Sequence, residues 1–428
     1  MQACTVYGQW NICMGALCCS SPVQSEEETS VVVVPAVTST SNELEFTRGN
    51  LLVFVNPNSG SGKSLKTFER RVAPLLRRNK IKYELIVTTG RDHAKSVVKT
   101  RTDLDCFNGV MILSGDGLVF EVLNGIVDRK DFVALLPNLP LSVVPSGSGN
   151  GLLCSVLENT GKSLKQKQLM SSAVEMATST SSKAIPVSLF HVQTDTQHLL
   201  SFLSLGWGLM ADIDIESEKW RKTLGSNRFT LGALIRTINL RTYRGRLSFK
   251  PYEENIRFAT STFYNVYPET PNSRIRKQAG IHSDESSING TTDWSELHVD
   301  TLVPPLSEQT GPDWTVIEDE FVGVYAVTLS RISADGPFVP NAKLDEDRIH
   351  LTYILKRDVS SRMDLINFLS AIESKKHLDM PFLKKVEVSS FRLNTLSEGS
   401  FIVVDGEVVD TKSVQITSTL LKTALFAL

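Results

Sequence analysis

Residues 114–117 read Ser-Gly-Asp-Gly and place one carboxylate, Asp116, between two glycines. An apolar run of strand length, residues 109–113, precedes this segment, and apolar residues at helical spacing follow it over residues 118–126. Glycines at the start of a helix suit a phosphate group, because they allow close approach to positively polarised backbone amides. A site that only binds phosphate has no need of an anion, so Asp116 indicates chemistry. The alternative is a turn in which Asp116 caps a helix.

Two other glycine-rich loops follow strand-like runs. Residues 51–55 lead into a Gly/Ser-rich loop at 56–64, and residues 141–145 lead into Ser-Gly-Ser-Gly-Asn-Gly at 146–151. The first loop fails the Walker A pattern because Pro57 stands where glycine is required, and alone it is equally well explained as a flexible turn. Three strand–loop–helix units with glycine-rich loops predict a parallel α/β domain that holds a nucleotide across several loops.

Acidic residues occur in two further places. One is a stretch in which the acids Asp212, Asp214 and Glu216 alternate with isoleucines. An extended chain would put the three carboxylates on one face. For this stretch alone, a helix with acids at its N-terminus is the better interpretation. Residues 405–407 read Asp-Gly-Glu between apolar runs, which is typical of a hairpin turn.

The bulk composition is that of an ordinary globular protein. The 428 residues favour two domains, with 41% hydrophobic and 21% charged residues. The formal net charge of −2 gives no reason to expect a nucleic-acid partner, and no apolar run reaches the roughly 18 residues of a membrane span. Four of the six cysteines lie before residue 20, so a disulfide framework is not expected and a reducing, cytoplasmic location is favoured.

The pattern along the chain divides it into three parts. Residues 1–48 are predicted to be a disordered N-terminal arm. Within it, myristoylation of Gly15 and palmitoylation of Cys18 and Cys19, with Met14 as an alternative start, is the less favoured interpretation. Residues 49–185 are the predicted α/β nucleotide-binding domain with a parallel sheet. Seven strand-like runs, one of them at 199–205, predict that residues 186–428 form a mainly antiparallel β-sandwich, with helices at 216–242 and 362–374 and a disordered insertion at 267–316.

The three loops together resemble the diacylglycerol-kinase-type catalytic domain of lipid kinases. The resemblance rests on Asn56-Pro57 with its glycine-rich loop, on residues 114–125 and on residues 145–150, with Ser146 and Gly151 standing where alanine is usual. It implies that ATP is bound with Mg²⁺ and that Asp116 is the general base. The nucleotide-binding residues that it implies are Asn56, Pro57, Asn58, Thr88, Thr89, Gly90, Arg91, Asp92, Ser114, Glu121, Gly147, Ser148, Gly149, Arg221, Arg228, Asp405, Gly406 and Glu407.

Residues 211–219, Ala-Asp-Ile-Asp-Ile-Glu-Ser-Glu-Lys, resemble the motif that marks sphingosine kinases within this superfamily. The resemblance implies that Asp214 binds the polar head of a long-chain base, with Gly117 also at the substrate. A carboxylate suits a head group that carries an ammonium and hydroxyls. Asp405 and Glu407 are the implied Mg²⁺ ligands, directly or through water.

We therefore expect ATP-dependent phosphorylation of the primary hydroxyl of sphingosine and related long-chain bases. The alternatives are a ceramide or diacylglycerol kinase, or a catalytically inactive membrane-binding scaffold; the acidic segment argues against an enzyme similar to NAD kinase. We expect reversible membrane contact by peripheral recruitment, and a homodimer is compatible with the sequence. The expected lining of the lipid-tail pocket is Leu205, Trp207, Met210 and Phe338.

Overall fold

A computed structural model describes residues 49–147, 149–225, 227–253, 264–265 and 293–428; the side chains of a few residues in these ranges, Arg221 among them, are not described. The predictions for the N-terminal arm with its acylation sites, for Ser148 and for residues 267–292 lie outside the described residues.

The described residues contain fifteen strands that form one continuous sheet. They are β1 (Gly49–Val55), β2 (Ile81–Val87), β3 (Gly109–Ser114), β4 (Leu141–Pro145), β5 (Lys183–Thr194), β6 (His198–Ser201), β7 (Ser204–Gly208), β8 (Tyr243–Pro251), β9 (Tyr264–Asn265), β10 (Thr315–Val327), β11 (Ile349–Leu355), β12 (Lys384–Thr395), β13 (Ile402–Val404), β14 (Glu407–Val409) and β15 (Ser413–Ala427).

The α-helices are spread over both halves of the chain. They are α1 (Ser64–Thr67), α2 (Ala73–Arg78), α3 (His93–Thr100), α4 (Asp116–Val127), α5 (Phe132–Asn138), α6 (Gly151–Asn159), α7 (Gln166–Thr178), α8 (Leu209–Ser217), α9 (Arg221–Leu224), α10 (Asn227–Ile238) and α11 (Arg362–Ala371). A π-helical turn, Phe68–Val72, joins α1 to α2. Short 3₁₀ helices occupy Leu104–Cys106, Glu218–Trp220, Trp294–Leu297, Lys356–Asp358 and Lys376–Asp379.

The N-terminal half, residues 49–182, contains the predicted parallel sheet. Its strands stand in the order β4-β3-β1-β2, and each neighbouring pair is parallel. Every residue of β3 and β4 is buried, which is the pattern of parallel strands that are covered by helices on both faces. The prediction of an α/β fold with a parallel sheet is therefore confirmed, and the carboxyl ends of β1, β3 and β4 carry the three glycine-rich loops.

The C-terminal half, from residue 183 onward, is mainly antiparallel. Strands β7, β10, β11 and β12 follow one another in the sheet, and β8 pairs with both β10 and β12, so the strands fold back around a second core that includes Trp207, Phe321 and Phe391. This agrees with the predicted antiparallel domain. Two details differ: the strand expected at 199–205 is interrupted between β6 and β7, and the helix expected at 216–242 is broken near Gly225, which has a φ of +55°.

The longest strand, β15, was not predicted. It pairs with β12 and β5 on the C-terminal side and reaches β4, where Leu425 stands beside Leu141. Leu425 and Phe426 consequently belong to the hydrophobic core of the N-terminal half. The predicted boundary at residue 185 is thus crossed by a shared sheet and a shared core.

The predicted disordered insertion is wrong for its second part, residues 293–316. Val299, Val303 and Trp314 are buried there. Lys250 on β8 forms ion pairs with Asp300 at 2.5 Å and with Asp313 at 2.9 Å. These contacts hold the segment against the sheet although its composition is polar.

Candidate active site at the carboxyl ends of the parallel strands

The three glycine-rich loops touch one another. A Cβ at Gly60, whose φ is +54°, would lie 1.9 Å from the carbonyl oxygen of Ser146, and a Cβ at Gly115 would lie 2.6 Å from that of Gly149. Atoms cannot approach so closely, so these positions accept only glycine. The hydroxyl of Ser114 donates to that of Ser59 at 3.2 Å, which adds a side-chain link between the first and second loops.

The first loop is folded by its own polar groups. The side-chain oxygen of Asn56 accepts a hydrogen bond from the backbone N–H of Asn58 at 2.9 Å, and the Ser64 hydroxyl donates to the carbonyl of Asn56. Pro57 is half-buried and Asn58 is exposed. The second of these bonds joins the two ends of the loop, and Asn58 gives the loop a polar residue that is accessible to solvent.

The segment after β2 carries the next predicted group, residues 88–92. Thr88 is buried and its N–H donates to Val55 at 2.9 Å, while Thr89 N–H donates to His93 Nδ1 at 3.0 Å. Asp92 has a φ of +60°, and Gly90 and Arg91 are exposed. The turn directs Arg91 toward the C-terminal half, where its guanidinium lies 3.4 Å from Glu407.

Asp116 is the first residue of α4, and its side chain is 6% exposed. Its carboxylate accepts hydrogen bonds from the backbone N–H of Gly151 at 2.7 Å and of Leu152 at 3.3 Å, the first two residues of α6. Asp116 thus caps a helix, as the alternative interpretation proposed, but a helix other than its own. Burial, with a smaller contribution from the nearby charge of Asp405, raises the pKa of Asp116 to about 7 in spite of these bonds.

Glu121 lies one turn further along α4 and lines a cleft of about 450 Å³. Arg91 and Asp92 line it from the N-terminal half, and Leu199 and Glu407 from the C-terminal half. The Glu121 carboxylate accepts from the N–H of Ala94 at 3.3 Å, at the start of α3, and burial raises the pKa of Glu121 to about 7. The structure brings Glu121 to the cleft, with one carboxylate oxygen bound to a helix N-terminus.

Residues 405–407 form the turn of the β13–β14 hairpin. Asp405 and Gly406 have φ of +50° and +89°, the signature of a type I′ turn, which agrees with the hairpin interpretation. The Asp405 carboxylate is buried and accepts four hydrogen bonds: 2.8 Å from the Ser201 hydroxyl, and 3.0, 3.0 and 2.8 Å from the N–H groups of Phe202, Leu203 and Ser204. Three of the four donors converge on Oδ1, and the N–H of Phe202 binds Oδ2. Burial raises the pKa of Asp405 to about 6 in spite of these bonds.

Gly406 and Glu407 stand between the predicted catalytic and substrate residues. A Cβ at Gly117 would lie 2.7 Å from Glu407 Oε1, and a Cβ at Gly406 would lie 3.9 Å from Asp214 Oδ2. The turn therefore has the residue after Asp116 on one side and Asp214 on the other. Residues separated by about 290 positions in the sequence are brought together here.

The acidic stretch is helical, because Asp212, Asp214 and Glu216 all belong to α8. Each acid has its own partner. Tyr243 OH donates to Asp212 at 2.8 Å, Arg228 binds Asp214 at 3.0 Å, and Arg236 and Arg241 bind Glu216. Burial raises the pKa of Asp212 to about 6. Of the three, Asp214 is the one that lies next to the turn at 405–407.

Arg228 contacts Asp214 rather than the glycine-rich loops. It is 3% exposed and donates to the Asp214 carboxylate and carbonyl and to the Ser217 hydroxyl, and it forms an ion pair with Glu218 at 2.9 Å. Its hydrogen-bond and ion-pair partners among the described residues all belong to the segment 214–218, so its geometry suits positioning of Asp214. The other arginine predicted to bind phosphates, Arg221, has no described side chain.

The four residues expected around the lipid tail separate into two groups. Leu205 and Trp207 are buried in the second core, where Trp207 packs against Tyr243 and Phe321. Met210 and Phe338 belong to a third apolar cluster, with Phe368 of α11. The sequence alone missed Tyr325, a partly buried tyrosine that packs edge-on against Phe338 at 5.0 Å. Desolvation and the charges of Asp214, Asp405 and Asp116 raise its pKa. No motif in the sequence distinguishes this tyrosine.

Within the described ranges, no group of three or more His, Cys, Asp or Glu side chains is arranged to hold a metal ion. Mg²⁺ commonly takes only one or two protein carboxylates and completes its shell with phosphate and water oxygens. The carboxylates at this site fit an ion that is held by one or two side chains and by phosphate oxygens, since Glu407 lies beside Gly117.

Comparison with known proteins gives a consistent result. Residues 50–187 match the family model of the diacylglycerol kinase catalytic domain. The chain is 51% identical to sphingosine kinase 1 of Caenorhabditis elegans, with 88% of this chain and 80% of that protein covered, and 33% identical to human sphingosine kinase 1, with 85% and 87% covered. A solved structure of a putative diacylglycerol kinase from Bacillus anthracis has a TM-score of 0.53 at 17% identity and covers 86% of this chain and 94% of that one, which shows likeness of fold.

Proposed function

The chain belongs to the sphingosine kinase family, and from this premise we propose how its residues carry out the ATP-dependent phosphorylation of sphingosine. The observation that carries the proposal is the buried carboxylate of Asp116, with a pKa near neutrality, beside three touching glycine-rich loops. Phosphoryl transfer requires mainly the positioning of reactants and the neutralisation of charge.

Asp116 acts as the general base. The primary hydroxyl of sphingosine gives its proton to the Asp116 carboxylate while its oxygen forms a bond to the terminal phosphorus of ATP, and the bond from that phosphorus to the bridging oxygen breaks to release ADP. A base works best when its pKa lies near the operating pH, and burial brings Asp116 to about 7. The N-terminus of α6 keeps the ionised form oriented through the N–H groups of Gly151 and Leu152.

The nucleotide lies along the loops at the carboxyl ends of the parallel strands. The segments at 56–58 and 88–92 lie there together with Ser114, Gly147 and Gly149. Residues 56–58 offer asparagine side chains rather than backbone amides, because Pro57 has no N–H and those of Asn56 and Asn58 are already bound. The first two amides of α6 are already bound by Asp116, so the phosphates use the loop amides that precede this helix.

Mg²⁺ fits the site through Glu407 better than through Asp405. Asp405 is the less accessible of the two, because its side chain is buried and its Oδ1 already accepts three hydrogen bonds. Glu407 reaches Gly117 with one oxygen and Arg91 with the other, at the edge of the cleft. When bound, the ion neutralises phosphate charge, and Glu407 holds it there.

Asp214 receives the ammonium and hydroxyls of the long-chain base. Its carboxylate lies beside the turn at 405–407, and Arg228 fixes its orientation from the opposite side. Ceramide and diacylglycerol lack the cation, so this acid favours sphingosine over both.

The lipid substrate calls for reversible membrane contact by a cytoplasmic enzyme. Every helix in the described ranges is too short or too polar to span a bilayer. Leu231, Leu234 and Ile238 on α10 are exposed at helical spacing and form an apolar stripe that suits the surface of a membrane. The homodimer stays a prediction, which analytical ultracentrifugation would test.

The test is transfer of a radiolabelled terminal phosphoryl from ATP to sphingosine, ceramide and diacylglycerol. We expect label in sphingosine alone, and we expect Asp214→Asn to raise the KM for sphingosine about tenfold or more with the KM for ATP unchanged. Asp103→Asn is the matched control, since Asp103 is also paired with an arginine, Arg101, on another part of the molecule. Labelling of a neutral lipid in preference to sphingosine would contradict the role given to Asp214.

A further inference from the structure

A second concave surface lies on the N-terminal half, apart from the residues assigned to catalysis. It is a groove of about 570 Å³ between the helical segment 64–78 and α7. Arg70, Arg71 and Arg78 line it, with Glu175 as the one acidic lining residue. Leu75 and Val174 contribute apolar surface. We call these six residues the arginine groove.

The three arginines have no ion pair or hydrogen bond to any described residue, in contrast to most of the other arginines whose side chains the structure describes. Arg101, Arg129 and Arg331, for example, each bind an acid within 3.0 Å. Residues 66–82 carry seven Lys or Arg residues and one Glu, a net charge of +6, although the whole chain has a formal charge of −2. Positive charge is therefore concentrated on this face.

The π-helical turn explains how the arginines come together. Phe68 and Val72, its first and last residues, are buried in the core, and Arg70 and Arg71 lie between them on the outer face. A π-turn adds a residue to the helical repeat, and such turns are rare and frequently occur at functional sites. It presents two consecutive guanidiniums to the same groove, with Arg78 further along the segment.

We propose that the arginine groove binds an acidic peptide segment of a partner protein. Its carboxylates or phosphoserines would pair with the three guanidiniums, whose planar forks match both kinds of oxyanion, and its apolar side chains would contact Leu75 and Val174. The concave shape favours a peptide over a flat bilayer, for which the apolar stripe on α10 is the better surface.

The experiment measures fluorescence anisotropy of labelled 12-residue peptides with the full chain. One peptide alternates Glu and Leu, a second replaces two Glu by phosphoserine, and a third alternates Lys and Leu. The groove variant R70Q/R71Q/R78Q is compared with the control K66Q/R77Q/K82Q, which removes the same charge from exposed positions outside the groove. We expect the groove variant to bind an anionic peptide about tenfold more weakly than the wild type, and the control less than about threefold more weakly.

Sphingosine phosphorylation is measured on all three proteins and is expected to be unchanged, since none of these residues belongs to the catalytic site; the assay also reports that the variants are folded. If the triple variant loses activity, the single variants R70Q and R78Q replace it. Binding of the wild type and the groove variant to phosphatidylserine vesicles is measured alongside. The proposal is overturned if neither anionic peptide binds the wild type, or if the groove and control variants lose peptide affinity equally. It is also overturned if the groove variant binds the peptides like the wild type and is weakened only in binding to the vesicles.

Discussion

Asp116 and Asp405 are two buried carboxylates on opposite halves of the molecule, and they differ in how the protein solvates them. Asp405 accepts four hydrogen bonds, three of them from consecutive backbone amides. Asp116 accepts two, both from the start of α6. Burial raises the pKa of both, to about 6 for Asp405 and about 7 for Asp116.

The difference separates a structural carboxylate from a reactive one. The oxygens of Asp405 are committed to holding the β6–β7 connection against the hairpin turn. Asp116 retains lone pairs that no protein group uses among the described residues, and it has the higher pKa. The number of donors around a buried acid, rather than burial itself, indicates which acid can take a proton from a substrate.

The largest expected effect is that of Asp116→Asn on kcat. Loss of the base is expected to lower kcat about 10²- to 10⁴-fold, whereas thermal stability should not fall, because the amide oxygen can still accept from Gly151 and the buried charge is gone. Steady-state phosphorylation of sphingosine and a thermal melt measure the two quantities. Retention of more than half of the wild-type kcat would mean that another group accepts the proton.

The complementary variant, Asp405→Asn, should act on stability. An amide offers one acceptor atom and brings two N–H donors toward four donors that already converge there, so at least one buried N–H loses its partner. We expect the free energy of unfolding to fall by about 2–4 kcal/mol in urea titrations. If Asp405→Asn unfolds like the wild type, the contrast between the two carboxylates is wrong.

The pH dependence of activity and of stability also tests the contrast between Asp116 and Asp405. Because the base must be ionised, kcat/KM should rise about tenfold per pH unit up to the pKa of Asp116 near 7 and then level off. The folded-state pKa lies above the ordinary 3.8, so the folded chain holds more protons between about pH 4 and 7. Asp116 therefore makes the free energy of unfolding decrease as pH rises through this window. Asp116→Asn should remove that decrease, and an unchanged slope in the variant would assign it to other groups.

Arg228→Met is expected to have a smaller and more selective effect. Without the guanidinium, Asp214 loses the partner that orients it, so the KM for sphingosine should rise about tenfold while the KM for ATP stays within about twofold. Arg236→Met is the matched control, since Arg236 binds Glu216 on the same helix. A larger change in the KM for ATP than for sphingosine would instead place Arg228 at the phosphates.

The smallest effect is expected for Arg91→Gln. Its ion pair with Glu407 spans the cleft at 3.4 Å, but the arginine side chain is 67% exposed, and exposed pairs contribute at most about 1 kcal/mol. The KM for ATP should rise no more than about fivefold. Arg244→Gln, which breaks an equally exposed pair with Glu318, is the control and should leave the KM unchanged. A tenfold change for Arg91→Gln would indicate direct contact with the nucleotide.

The sequence predicted what depends on local pattern. Glycine spacing and apolar runs were enough to locate the parallel strands and their loops, and the acid-to-base order of residues 212–222 favoured the helix that the structure shows. The helix cap made by Asp116 could not be anticipated in detail, because its partners lie 35 and 36 residues away.

Long-range contacts account for what could not be predicted. The donors to Asp405 come from residues 201–204, and backbone amides carry no sequence signal. Arg228 looked available for phosphate because its pairing with Asp214 and Glu218 depends on how the chain bends between α8 and α10. Similarly, the polar residues 293–316 gave no sign that Asp300 and Asp313 would find Lys250.

Strand β15 has a consequence for how the protein folds during its synthesis on the ribosome. A Cβ at Gly109, on β3, would lie 2.7 Å from the ring of Phe426, so the core around the first sheet includes side chains that are synthesised more than 300 residues later. The N-terminal half is therefore expected to leave the ribosome with part of its hydrophobic core exposed, and this surface becomes buried only after β15 has been synthesised. Molecular chaperones would find their binding surface there during that interval.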